Sequence, residues 1–348
     1  MKAILPRLHR LVLVSLLRTL ALLLAVAASP AMAATLEGVK ARDQLVCGVS
    51  DDVPGLAAIE SPDVWSGIEP DFCRAVAAAV LGDGKKVRFR PLNNGDSFRA
   101  LAAGEVDLLA GGPGWTLSRD TELKVRFVEV LLFDGQGFMV PRNHGISSAL
   151  ELSGASICVI AGTRAAEVAA NYFARNRMRH QLVTSERWQD LVNVYASGGC
   201  TALTGDLTQL AATRATFASP ADHSLLPEIV SKEPIAPTVR TGDDTWFAIV
   251  RWVLMALVAA EELQITRDNV DKSLQSPSED VRRLLGVGSD LGHSLGLDAD
   301  WATRVVRHVG NYGEIFDRWL GTGSPLKLPR GYNKLWTQGG LMYSVPIR

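Results

Sequence analysis

The sequence predicts an α/β protein of two lobes, and three observations carry that expectation. Short apolar strands alternate with helices between residues 44 and 109, at the spacing of a parallel sheet covered on both faces. A second cycle of the same kind starts at residue 157 and again places polar loops at its strand ends. Two broken stretches, 134–137 and 231–240, interrupt the pattern where a chain passing between lobes would cross. Mainly parallel sheets flanked by helices and joined by two hinge crossings are therefore expected. Residues 34–138 and 240–348 would form lobe 1 with a C-terminal extension, and residues 139–239 lobe 2.

The first 33 residues have the make-up of an export signal. Lys2, Arg7, Arg10 and Arg18 precede the apolar run 20–28, and Ala31-Met32-Ala33 offers small residues for cleavage. The run is too short to span a bilayer comfortably, and no cysteine stands near the cleavage site to take a lipid. A soluble, monomeric periplasmic protein is the expectation. Removing four basic and no acidic residues takes the formal net charge from −1 to −5, which disfavours a nucleic-acid partner. With 47% hydrophobic and 21% charged residues, the remaining chain has enough apolar material for packed cores and too much for disorder.

In the first cycle, 44–49 reads as a buried strand ending at Ser50-Asp51-Asp52. Residues 72–80 read as an Ala-rich helix stopped by Gly82 and Gly84. Residues 86–89 form the second strand, 97–103 a short helix and 106–109 the third strand. In the second cycle, 157–160, 181–183 and 201–204 are strands, with helices at 165–175 and 188–196. The apolar stretch 245–263 is a core helix, because Arg251, Glu261 and Glu262 interrupt it too often for a membrane span. Helices at 281–285 and 299–309 precede a Gly- and Pro-rich tail.

The stretch 106–120 has the plan of a ligand site. An apolar strand runs into Ala110-Gly111-Gly112-Pro113-Gly114 and then into a cluster of hydroxyls and charges that opens a helix. At the carboxyl end of a parallel strand, free backbone N–H groups face an anion, and one arginine grips a carboxylate with two parallel bonds. Arg119 is the arginine placed to do so, unless it simply pairs with Asp120 on the surface. Trp65 and Trp115 flank candidate cleft loops and stack on a ligand or cover the core.

Cys47, Cys73, Cys158 and Cys200 admit three pairings or none. Pairing within each region, Cys47 with Cys73 and Cys158 with Cys200, respects two separate cores. Without a CxxC, and without histidines four residues apart, no metal is expected. No cofactor is expected either.

Long strings then carry a resemblance: Leu45-Val46-Cys47-Gly48-Val49, Trp115-Thr116-Leu117-Ser118-Arg119-Asp120-Thr121, Phe133-Asp134-Gly135-Gln136-Gly137, Val230-Ser231-Lys232-Glu233-Pro234 and Asn311-Tyr312-Gly313-Glu314. On these residues the mature chain resembles the periplasmic solute-binding proteins of general L-amino acid ABC transporters, with the two-lobed type II periplasmic binding protein fold. The resemblance implies an amino acid held between the lobes and delivered to a membrane permease. It implies that Arg119 takes the α-carboxylate, helped by Ser50, Gly114, Thr116 and the Gly162-Thr163 loop, and that Asp206 takes the α-ammonium. The physics agrees, since both ends of a desolvated zwitterion need opposite charges.

Departures from the family pattern fall in the site. Ala110 to Gly114 stand where Ser-Arg-Asn-Thr-Thr is usual, Arg164 where a Thr is usual, and Ser50 where an amide is common. Features of other classes are present too. Gly292-His293-Ser294-Leu295-Gly296 fits a nucleophile pattern but follows no buried strand. An amino-acid dehydratase built on a binding fold needs a cleft acid, for which Asp51, Asp52, Glu69 and Asp71 are available. A sensory binding protein differs in its membrane partner alone.

Overall fold

The computed structural model describes residues 35–61 and 64–348. The expected export signal lies outside the described residues.

The first sheet holds five strands, in the spatial order Val87–Leu92, Leu45–Ser50, Leu108–Leu109, Thr238–Arg240, Val125–Phe127. The second repeats the plan with His180–Ser185, Ala155–Ile160, Ala202–Asp206, Gln136–Pro141, His223–Leu225. In each, the first three strands are parallel, and the last two join antiparallel. The expected mainly parallel sheets are present, four strands of each running one way and a single strand reversed. The reason lies in the crossings: each sheet takes one strand from a chain that is returning from the other, and that strand enters in the opposite direction.

The crossings meet in a third, two-stranded sheet, where Glu233–Ile235 runs antiparallel to Leu132–Asp134 and Glu233 stands opposite Asp134. The expected boundary after residue 138 falls inside Gln136–Pro141, which belongs whole to the second sheet.

Local sequence explains the elements that position the site. Helix Ile68–Leu81 buries nearly every residue, as its alanines allow, and ends on Gly82 at φ 75°, a left-handed cap that glycine takes without strain. The long helix Asp244–Glu262 is the spine of lobe 1. Its Trp246 is fully buried, and the indole N–H donates to the Asp107 carbonyl at 2.9 Å. Both expected disulfides are present, Cys47–Cys73 joining a strand to the Ile68–Leu81 helix and Cys158–Cys200 joining two segments of the second lobe. Four helices escaped the sequence reading, Thr35–Arg42, Leu207–Thr216, Val270–Ser273 and Tyr312–Trp319. Among the described residues no helix is long and apolar enough to cross a membrane.

Candidate functional site

The strand ends of both sheets face one another across a cavity of about 470 Å³. Ser50 and Gly112 to Gly114 line it from the first sheet, Asp206 and Gln209 from the second, and Asp134, Glu233 and Ile235 from the hinge.

Arg119 lines this cavity from the short helix Leu117–Glu122. Its Nη1 donates to the Gly114 carbonyl at 2.6 Å, which anchors the guanidinium while leaving its other donors for a ligand. Thr116 caps that helix, its hydroxyl accepting from the Arg119 N–H at 3.4 Å. It does not line the cavity, so its hydroxyl serves the helix that carries Arg119.

Opposite stands Asp206, at the end of its strand and the start of helix Leu207–Thr216. Desolvation first, then the charges of Asp134 and Glu233, push its pKa up to about 7, against the pull of Arg164. The side chain is open to the cleft. Its shift therefore reflects first the concave walls that hold water off the carboxylate, and then the like charges beside it. Asp134, by contrast, is buried and accepts from Thr208 Oγ1 and from the Gly135 N–H. Burial raises its pKa as well.

The edited loop has a physical role. A Cβ on Gly111 would lie 2.0 Å from Glu69 Oε1, and one on Gly114 3.0 Å from Glu233 Oε2. Each glycine thus makes room for a carboxylate. Glu69 is fully buried and accepts from both the N–H and the hydroxyl of Ser50, each at 2.7 Å. Ser50 therefore spends its donors inward, away from the cavity it lines. Glu233 faces the cleft, and Arg164 from the second lobe reaches it at 3.5 Å. That arginine is mostly exposed, so the pair is held weakly.

Other expected site residues stand elsewhere. Trp65 is buried in the lobe 1 core beside Phe89, and Trp115 stacks flat on Phe127 with ring centroids 5.5 Å apart. Both cover core, and neither lines the cavity. Gly162 and Thr163 also lie outside its lining, and the Thr163 hydroxyl donates to the Ile160 carbonyl at 2.8 Å. Of the acids weighed for a dehydratase, Asp51 and Asp52 are exposed and outside the cavity lining. Asp71 is tied to Arg74, Arg318 and Trp319. Among the described residues no group of three His, Cys, Asp or Glu is placed to hold a metal.

Sequence reasoning missed Glu233, Asp134 and Gln209 as cavity residues. The first two carry a signal in retrospect: each flanks a break in a crossing, Glu233 beside Pro234 and Asp134 beside Gly135. Gln209 follows from a helix that had not been anticipated.

This geometry defines a two-lobed binding protein with a cleft of mixed charge at the hinge. The chain belongs to the bacterial extracellular solute-binding proteins, family 3, whose model matches residues 45–269. It is 47% identical to the general L-amino acid-binding periplasmic protein AapJ of Rhizobium johnstonii, over 94% of this chain and 97% of that one. It is also 47% identical to the glutamate/glutamine/aspartate/asparagine-binding protein BztA of Rhodobacter capsulatus, over 94% and 97%. An ABC transporter periplasmic binding protein from Brucella ovis, solved with glutathione bound, superposes with a TM-score of 0.80. That protein is 48% identical, the match covering 91% of this chain and all of the other. The family and these relatives are binding proteins, not enzymes.

Proposed function

We propose that the chain captures an amino acid or a related small solute between its lobes and delivers it to an ABC permease. The observation that carries this reading is that Arg119 and Asp206 line one cavity from opposite lobes. A guanidinium on one wall and a carboxylate on the other complement the two ends of a zwitterion. In this reading Arg119 takes the α-carboxylate, and Asp206 with Glu233 takes the α-ammonium. Ser50 and Gly114 shape the cavity around them. The relatives' names support the solute class. Export through residues 1–33, a monomeric state and a division into lobes at the crossings near 134–136 and 231–233 belong to the same proposal.

The test is calorimetric titration of the mature protein with the common L-amino acids. Saturable one-to-one binding of at least one, strongly weakened by Arg119→Ala, is expected. No binding of any amino acid or of glutathione by a folded protein would overturn the reading.

One observation favours a second ligand. The Brucella ovis neighbour holds glutathione, whose γ-glutamyl end carries the same carboxylate and ammonium as a free amino acid. Glutathione therefore belongs in the same titration.

A further inference from the structure

The family match ends at residue 269, and the chain beyond it reaches both lobes and the hinge between them. Leu326 and Leu328 are buried in the lobe 1 core. Lys327 between them is held at φ 45°, a left-handed conformation that a lysine adopts only when its surroundings impose it. The carbonyls on this turn meet Arg214, whose Nη2 donates to Leu326 O at 2.6 Å and to Lys327 O at 3.4 Å. Arg214 belongs to helix Leu207–Thr216, which follows directly on Asp206 in the second lobe.

A few residues on, Arg330 grips Glu261 of the long lobe 1 helix with two bonds, at 3.0 and 3.1 Å. Asn333 is buried and pairs with the hinge strand as another strand would. Its amide donates to the Phe133 carbonyl at 3.0 Å, and its Oδ1 accepts from the Phe133 N–H at 2.8 Å. Residues 326–333 are thus fastened to lobe 1, to the hinge and to lobe 2 in turn.

Between this segment and the second lobe lies a cavity of about 340 Å³, with Leu207 and Ile229 on one side and Leu328 and Tyr332 on the other. Asp134 and Thr208 line both this rear cavity and the ligand cleft. They therefore form the wall at which the lobes pivot. A rotation about the hinge that narrows the front widens the back. The Arg214 bonds span the back.

We propose that residues 326–334 are a strap across the rear of the hinge, and that Arg214 is the positioning residue through which the strap restrains the second lobe and sets how far the cleft moves on capturing a solute. This rests on the two-lobed hinge reading and not on the ligand's identity. Any swing of the lobe stretches the two Arg214 bonds or exchanges them for water, so the strap narrows the range of lobe orientations before ligand arrives.

The test uses the full mature protein, both disulfides intact, with spin labels replacing exposed Lys85 in lobe 1 and Glu186 in lobe 2. Pulsed dipolar distance distributions are recorded without ligand. Arg214→Met keeps the aliphatic stem and removes the donors. It is expected to broaden the inter-lobe distribution, and Arg214→Lys, which keeps the charge and one donor group, to give an intermediate width. The dissociation constant of a bound solute should shift by at least about threefold in Arg214→Met, since a different share of the protein is competent to bind. A ligand-free Arg214→Met distribution that superimposes on the wild type overturns the strap, whatever the affinity does. Should Arg214→Met not fold, the same comparison with Arg214→Lys decides. A wild type that binds neither an amino acid nor glutathione would overturn the proposed function and leave this comparison, made without ligand, fully readable.

Discussion

Arg119 and Asp206 face each other as opposite charges, but near neutral pH Asp206 is only partly ionised, its pKa lying at about 7. A ligand ammonium favours the ionised form, so binding releases a proton. Affinity for an aminated solute is therefore expected to fall on acidification below pH 7, by up to about tenfold per pH unit. Titrations at several pH values, in buffers of different ionisation enthalpy, measure both effects, and a flat profile would rule out Asp206 as the ammonium's partner. In the empty protein the sign reverses. The native state keeps a proton that the unfolded chain, at the ordinary value of 3.8, has lost. This group therefore favours the fold at low pH, and its contribution fades as pH rises from 3.8 through 7. Replacing Arg119 by Ala is expected to cost about 2–5 kcal/mol of binding, the loss that follows when a desolvated carboxylate is deprived of its cation. An unchanged dissociation constant would remove Arg119 from the site. Gly111→Ala is expected to destabilise the fold by about 1–3 kcal/mol, because its methyl group meets the buried Glu69 carboxylate. The cost should shrink in a Glu69→Ala background. Equal costs in the two backgrounds, read from urea denaturation, would mean that the glycine does not serve that carboxylate.

At the scale of elements, each disulfide ties parts of its own lobe, so neither restrains the hinge. Cys47–Cys73 spans 26 residues and Cys158–Cys200 spans 42. Removing either is expected to cost about 3–4 kcal/mol through the freedom regained by the unfolded chain. A Cys158→Ser, Cys200→Ser variant should melt at a lower temperature, yet still close on ligand with the wild-type change in radius of gyration. Loss of closure at temperatures where the variant is folded would show that the bridge has a part in the hinge. Elements were legible wherever apolar period and punctuation agreed, as for Trp188–Ala196, placed to the residue, and for Asp244–Glu262, placed within one. Helix Leu207–Thr216 was not. Its buried face is Thr208, Leu210, Ala211 and Thr213, in which two threonines stand where apolar residues make the period visible.

At the scale of the molecule, two lobes joined by crossings and a small hinge sheet are built to move as bodies. A confirmed ligand is expected to reduce the radius of gyration in small-angle scattering by bonding to both walls at once. An unchanged radius on saturation would count against hinge closure. The balance of charge belongs to this scale too. Asp134, Asp206 and Glu233 come from distant parts of the chain and line one cavity with Arg119, and Arg164 approaches from the second lobe to offset Glu233.

The sequence by itself determined the two-lobed α/β plan, the helices and strands of strong period, the division of the cysteines into one pair per region, and the placing of Arg119 in the loop-to-helix stretch after one strand and of Asp206 at the end of another. All of these depend on local pattern or on order along the chain, which a linear reading retains. The tertiary structure alone decided which side chains share a cavity. It turned Trp65, Trp115, Thr116 and Thr163 toward core or backbone and brought Glu233 beside Gly114. It also laid the tail across the hinge from Arg214 to Asn333. Those outcomes rest on contacts between residues far apart in sequence, where neither periodicity nor residue type records which face a side chain will find.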